Sequence, residues 1–177
     1  TLPLVLTAPH GGTLLPSGIP DRSWGTTVRD LDTDILALLV ADALEARTGE
    51  RPHLVRLHLH RRKLDANREI GEAAQGNPDA ERAWFEFHAW TEVAMATVRR
   101  DHPRGLYMDV HGHGHEIQRL ELGYLLSASD LALDDSALDA PAVAGKSSMR
   151  EVAAWTGMAP HALVRGEHSL GALFEER

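Results

Sequence analysis

The chain has 177 residues, 43% of them hydrophobic and 25% charged, enough to bury a core and in keeping with one compact globular domain. A formal net charge of −8 argues against nucleic acid as a partner, because phosphate binding needs basic patches. The chain has no cysteine, which excludes disulfides and thiolate metal sites, while eleven histidines leave nitrogen and oxygen ligands in abundance.

In chain order, "LPLVLTAPHGG" (2–12) is a short apolar run closed by Pro9 and a glycine pair, which predicts a buried strand running into a loop. From Asp32 to Arg47, Ile35, Leu36, Leu38, Leu39, Ala43 and Leu44 fall at helical spacing; Asp32 or Thr33 can cap the start, and Gly49 follows the end. "HLVRLHL" (53–59) alternates as a second strand would. Residues 79–100 predict a long helix with Trp84, Phe87, Trp90, Ala94 and Val98 along one side. "GLYMDV" (105–110) is a third strand and "LELGYLLSA" (120–128) a fourth at an edge. The acidic, small-residue stretch 130–145 reads as loop, and a helix at about 148–156 starts at Ser148 and Glu151, which have capping-box spacing. "SLGALFEER" stops within a helical pattern, so further C-terminal residues are expected in the working protein. Strands alternating with helices imply an α/β fold, a single domain with a mainly parallel or mixed central sheet flanked by helices. No run approaches the ~20 apolar residues that span a bilayer. No signal peptide is visible either, so no membrane partner and a cytoplasmic location are expected.

In open α/β sheets ligands bind beyond the carboxyl ends of the strands, and each of the first three strands delivers polar residues there. The first gives His10, the second His58, His60, Arg61, Asp65, Asn67 and Arg68, and the third "DVHGHGH", with His111, His113 and His115 at alternate positions behind Asp109. Two neutral imidazoles, one carboxylate and an open position make a common catalytic zinc site. His10 and His111 are the preferred imidazoles, each the first histidine after its strand, with neighbouring glycines that let backbone come close to a metal. Asp30 and Asp34 are the available carboxylates, and Asp109 can orient His111 from behind. Arg62 and Lys63 have the composition of a solvated basic turn, and His88, beside Trp84 and Trp90, either lines the site or packs in the core.

"PHGG" (9–12), "RDLDTD" (29–34), "RRKLDANR" (61–68), "FH" (87–88) and "DVHGH" (109–113) together resemble the N-formylglutamate amidohydrolase family of zinc-carboxypeptidase-like hydrolases. The Arg-(x)3-Asp-x-Asn-Arg element is the specific one. The resemblance implies a phosphorylase/hydrolase-like fold and one Zn2+ ion on His10, His111 and an aspartate between them. Asp30 is favoured, because Asp34 falls inside the first helical turn. It implies further that Asn67 and Arg68 grip the free carboxylate of a small acidic substrate, that Arg61 polarises the scissile carbonyl and that His88 belongs to the substrate side. In the family a Gly-Gly-Tyr segment and a glutamate base follow; this chain reaches Arg177 with neither, so the base is expected in residues beyond it, with substitution by Glu167 or loss of hydrolase competence as the alternatives. The expected activity is hydrolysis of the amide of a small N-acyl, in particular N-formyl, amino acid. The alternatives are a peptidase or deacylase on a γ-glutamyl or cell-wall peptide, and a metal- and carboxylate-binding protein without catalysis. Nothing in the sequence bears on oligomeric state.

Overall fold

A computed structural model describes residues 1–175. The chain is α/β, as its pattern implies, and it divides into two compact units, Thr1–Gly114 and His115–Arg177. The first holds a parallel sheet of β1 (Leu4–Ala8), β2 (His53–Arg56) and β3 (Leu106–Asp109), in the order β2-β1-β3. Parallel neighbours need long crossovers. The first runs through α1 (Thr33–Thr48), the second through α2 (Ile70–Ala74) and α3 (Pro78–Asp101). β1 lies in the centre and is buried from Val5 to Ala8, which explains why it reads as a continuous apolar run. β2 is shorter than the alternating stretch suggests; beyond it Leu59 forms an isolated parallel bridge with Leu14.

α3 is built as its sequence asks. Asn77 caps it by accepting from the amides of Asp79 and Ala80, Pro78 occupies the first turn, and Arg99 and Arg100 sit in the last. Its inward line is Ala80, Phe87, Thr91, Ala94 and Val98. Trp90, expected on that line, is 64% exposed, because it precedes Thr91 by one residue and so points about 100° away. α1 turns a stripe of small residues inward, Thr33, Ala37 and Ala41, while Ile35, Leu36 and Leu39 face outward. Its first residue follows Asp32, which is left-handed at φ 58° and makes no side-chain cap bond; Gly49 closes the end at φ 77°. The main core beneath the loops joins Ile19, Leu57, Leu64, Ala66, Ala73, Ala74, Ala80 and Phe87, and a smaller one joins Val5, Ala94 and Val98.

The second unit consists of short helices: α4 (Ala128–Leu131), α5 (Asp135–Leu138), α6 (Pro141–Ala144), α7 (Arg150–Thr156), α8 (Pro160–Arg165) and α9 (Leu170–Glu175). The strand expected at 120–128 does not form. Leu125 adopts a left-handed φ of 59°, which interrupts any extended run, and Ser127 with Asp130 makes a capping box that starts α4. The stretch 130–145 is correspondingly not loop: Asp130 completes the capping box of α4, and Asp134 accepts from the Ala137 amide to begin α5. The capping box expected at Ser148 is absent, since α7 begins behind Met149 without a side-chain cap. The pattern of "SLGALFEER" is α9 through Glu175, and its last two positions lie outside the described residues. Among the described residues no helix is long and apolar enough to cross a membrane.

Candidate metal centre

Loops at the carboxyl ends of the strands build the site within the first unit. The β1–α1 loop is stitched to the loop after β2 by Leu14 N–H to the His58 carbonyl, His60 N–H to the Leu14 carbonyl and Arg22 N–H to the Arg62 carbonyl. Gly12 permits this: a Cβ there would lie 2.4 Å from the His58 carbonyl carbon, and one on Gly11 would lie 2.4 Å from the Asp34 amide nitrogen. The glycine pair therefore serves contact between protein backbones, where the sequence suggested approach to a metal.

His10, Asp30 and His111 come together. His10 Nδ1 is 3.4 Å from Asp30 Oδ2 and 3.2 Å from His111 Nδ1, and the third edge, His111 Nδ1 to Asp30 Oδ2, is 3.3 Å. A tetrahedral ion with ligand bonds of ~2.0–2.1 Å separates its ligands by about 3.3–3.4 Å, so the triangle has the size that such an ion needs. The other ring nitrogens fix what these three atoms are. His10 Nε2 donates to Asp65 Oδ1 at 2.7 Å and His111 Nε2 donates to Asp109 Oδ2 at 2.8 Å. When both imidazoles are neutral, with the proton on Nε2, both Nδ1 atoms present lone pairs, and Asp30 adds a carboxylate oxygen. Three acceptors facing one another repel unless a positive charge lies among them.

The electrostatics follow. Burial would raise the Asp30 carboxyl, but the adjoining His10 and His111 rings and the hydrogen bond from the Gly112 amide outweigh it and hold it far below the usual carboxylate range. Asp65 is likewise depressed against its burial by His10 and Arg61. His111, held by Asp109 and Asp30, is pushed up to about 9; what attracts a metal ion to this spot attracts a proton as well. His10 is buried, whereas the His111 side chain is 38% exposed, so the triangle opens toward solvent on its His111 side.

The remaining expected residues divide. Arg61 bridges the triangle's supports, with Nη1 3.2 Å from Asp30 Oδ1 and Nε 2.9 Å from Asp65 Oδ2; its Nη2 makes no hydrogen bond among the described residues. Asn67 Nδ2 lies 3.4 Å from His111 Nε2, and because that nitrogen already donates to Asp109, the Asn67 amide protons are left for another acceptor. Arg68 is not held by the Asp65 carboxylate, as the spacing suggested. Its guanidinium pairs with Glu72 Oε1 at 3.4 Å and bonds the Asn67 carbonyl, because Asp65 is already occupied by His10 and Arg61. His88 bonds the Ala66 carbonyl and packs on Trp84 at 4.0 Å, while Trp84 Nε1 donates to the Arg68 carbonyl. These two α3 side chains brace the 66–68 loop from below. Asp34 stays in the first turn of α1, outside the triangle. Glu167 belongs to the second unit, 87% exposed beside His168. Lys63 is buried against the Ile19 carbonyl and Asp21, a loop anchor, and Arg62 faces Asp21 outside the triangle. One contributor has no sequence signal. Arg22, in "DRSWG", is buried and donates to the carbonyls of Thr26, Arg61 and Glu72, with Nη1 3.8 Å from Asp65 Oδ2. Comparison of the chain with protein-family models, with curated proteins and with solved structures gave no match.

Proposed function

We propose that the chain is a zinc-dependent hydrolase of amide C–N bonds, acting on a small N-acyl amino acid with a free carboxylate, with N-formylglutamate the substrate that the resemblance suggests. The observation that carries this reading is the triangle of His10 Nδ1, His111 Nδ1 and Asp30 Oδ2, of tetrahedral size, with both Nε2 atoms engaged by carboxylates. Two imidazoles and one carboxylate with an open side match a catalytic zinc site better than a closed structural one. A bound zinc ion supplies a Lewis acid and makes hydroxide available near pH 7. The rest falls to the chain's own side chains. Arg61, fixed by two carboxylates and with Nη2 uncommitted, is a rigid donor for the carbonyl oxygen, whose charge grows as the amide is attacked. Arg68 and the free amide of Asn67 bind the substrate carboxylate, with Glu72 exchanged for it. His88 serves that end indirectly, through the Ala66 carbonyl. The acids around the triangle, Asp30, Asp65 and Asp109, are all engaged by imidazoles or Arg61, so none of them is free to carry a proton to the leaving nitrogen.

The test is zinc content by mass spectrometry for wild type and His111→Ala, followed by amine release from a series of N-formyl amino acids. About one zinc per chain that is lost in the variant, with turnover fastest on acidic substrates, is the expected result. A zinc-loaded wild type that releases no amine from any N-acyl amino acid overturns the catalytic reading.

A further inference from the structure

The carboxylate behind His111 is itself held by a pair of hydroxyls. Thr7 Oγ1 donates to Asp109 Oδ1 at 2.5 Å, and Tyr107 Oη lies 2.9 Å from Thr7 Oγ1. A carboxylate only accepts, so the one Thr7 hydroxyl proton is committed to Asp109, and the Thr7 oxygen accepts from Tyr107. Burial raises the Tyr107 phenol above its ordinary value, which keeps that donor protonated. Direction is therefore set along the whole chain: Tyr107 to Thr7, Thr7 to Asp109, and His111 Nε2–H to the other Asp109 oxygen. The sheet supplies the spacing. Thr7 and Asp109 are register partners on β1 and β3, and Tyr107 shares the face of Asp109 two residues earlier.

The two imidazoles are thus supported unequally. Asp65, behind His10, receives the Arg61 guanidinium at 2.9 Å and has Arg22 at 3.8 Å, so its charge is largely compensated. Asp109 receives the neutral Thr7 hydroxyl and His111, and among the described residues no Lys or Arg pairs with it. More of its charge is directed at the His111 ring, which makes that ring the stronger donor.

We propose that Thr7, with Tyr107 behind it, is a positioning residue for the metal centre, fixing the Asp109 carboxylate and through it the ring plane and Nε2–H tautomer of His111. The proposal rests on reading His10, Asp30 and His111 as metal ligands. Thr7 is fully buried in the central strand, and valine reproduces its branched shape while removing the hydroxyl, so the variant separates hydrogen bonding from packing.

Zinc affinity is measured by competition with a chromophoric chelator for wild type, Thr7→Val, Thr7→Ser and Tyr107→Phe, with thermal unfolding of each in excess chelator. Thr7→Val is expected to bind about tenfold more weakly, the lower end for loss of an outer partner of a metal ligand. Thr7→Ser, which keeps the hydroxyl, should stay within about twofold of wild type, with Tyr107→Phe between the two. Thr7→Val at wild-type affinity overturns the proposal, and equal losses in Thr7→Val and Thr7→Ser reduce Thr7 to packing. Should Thr7→Val not fold, Tyr107→Phe decides, because that side chain is half-exposed; wild-type affinity there breaks the chain at its first link. A wild type that binds no zinc overturns the metal-site reading itself, a result distinct from all of these.

Discussion

A buried histidine needs a partner at each ring nitrogen, and His10 has partners of opposite kind: Asp65 accepts from Nε2, while Nδ1 faces Asp30 and His111. That asymmetry makes it a candidate ligand, and burial by itself does not. The same reasoning decides between the aspartates. Asp30 directs Oδ2 into the triangle, and its backbone amide is tied to the His10 carbonyl, whereas Asp34 lies in the first turn of α1. Asp30→Asn should therefore weaken zinc binding by more than about 100-fold, beyond what any outer partner is worth, and Asp34→Asn should leave it within error. A zinc titration of both variants checks this; the reverse ranking would move the site. Asp65 shows where sequence spacing misleads. Its position four after Arg61 and three before Arg68 suits either arginine, and only the fold reveals that His10 and Arg61 occupy it. Arg22 carries no signal in its own neighbourhood, because all of its hydrogen-bond partners are backbone carbonyls, three of them brought together by the loops, and its carboxylate neighbours Asp65 and Glu72 lie far along the chain.

At the scale of elements, strands and long helices were legible because their signals are local. β1, β3 and α3 match their apolar runs, caps and spacing. The faces were less so: in α1 the largest side chains point outward, because the stripe Thr33, Ala37 and Ala41 permits closer packing than leucines would. Backbone contact also decides the worth of the glycine pair. Gly12→Ala should lower stability by about 1–3 kcal/mol, as forced overpacking does. Gly18→Ala, where an added Cβ meets nothing within 4 Å, should cost little; thermal melts of the two compare them directly. In the second unit two of the acids that resembled loop, Asp130 and Asp134, help start helices. Asp130, bonded by Lys146 and the Ser127 hydroxyl and amide, is lowered to about 2. A carboxyl depressed on folding stabilises the folded form above its unfolded value near 3.9. That contribution fades as pH falls through about 2. A carbon-detected NMR titration should find the Asp130 midpoint near 2 in wild type and closer to the ordinary aspartate value in Lys146→Ala. An unmoved midpoint would assign the shift to the capping box instead.

For the molecule as a whole, the candidate ligands lie at positions 10, 30 and 111, so a bound ion would cross-link segments up to about a hundred residues apart within Thr1–Gly114. Zinc at 100 times its dissociation constant should stabilise the fold by about 2.7 kcal/mol, simply because it binds the folded state. Melting curves with zinc and with chelator should separate for wild type and coincide for His111→Ala. Separation that persists in the variant would place the zinc elsewhere. By itself the sequence determined the class of fold, the strands that deliver polar residues at their carboxyl ends, and the kinds of ligand available, since periodicity, caps and composition are properties of short stretches. Tertiary structure alone decided that Asp65 holds the His10 ring, that Arg22 stands behind Asp65, and that residues 120–128 do not extend the sheet. Those outcomes depend on distances of a few ångströms between residues far apart in the chain, and no local pattern encodes such distances.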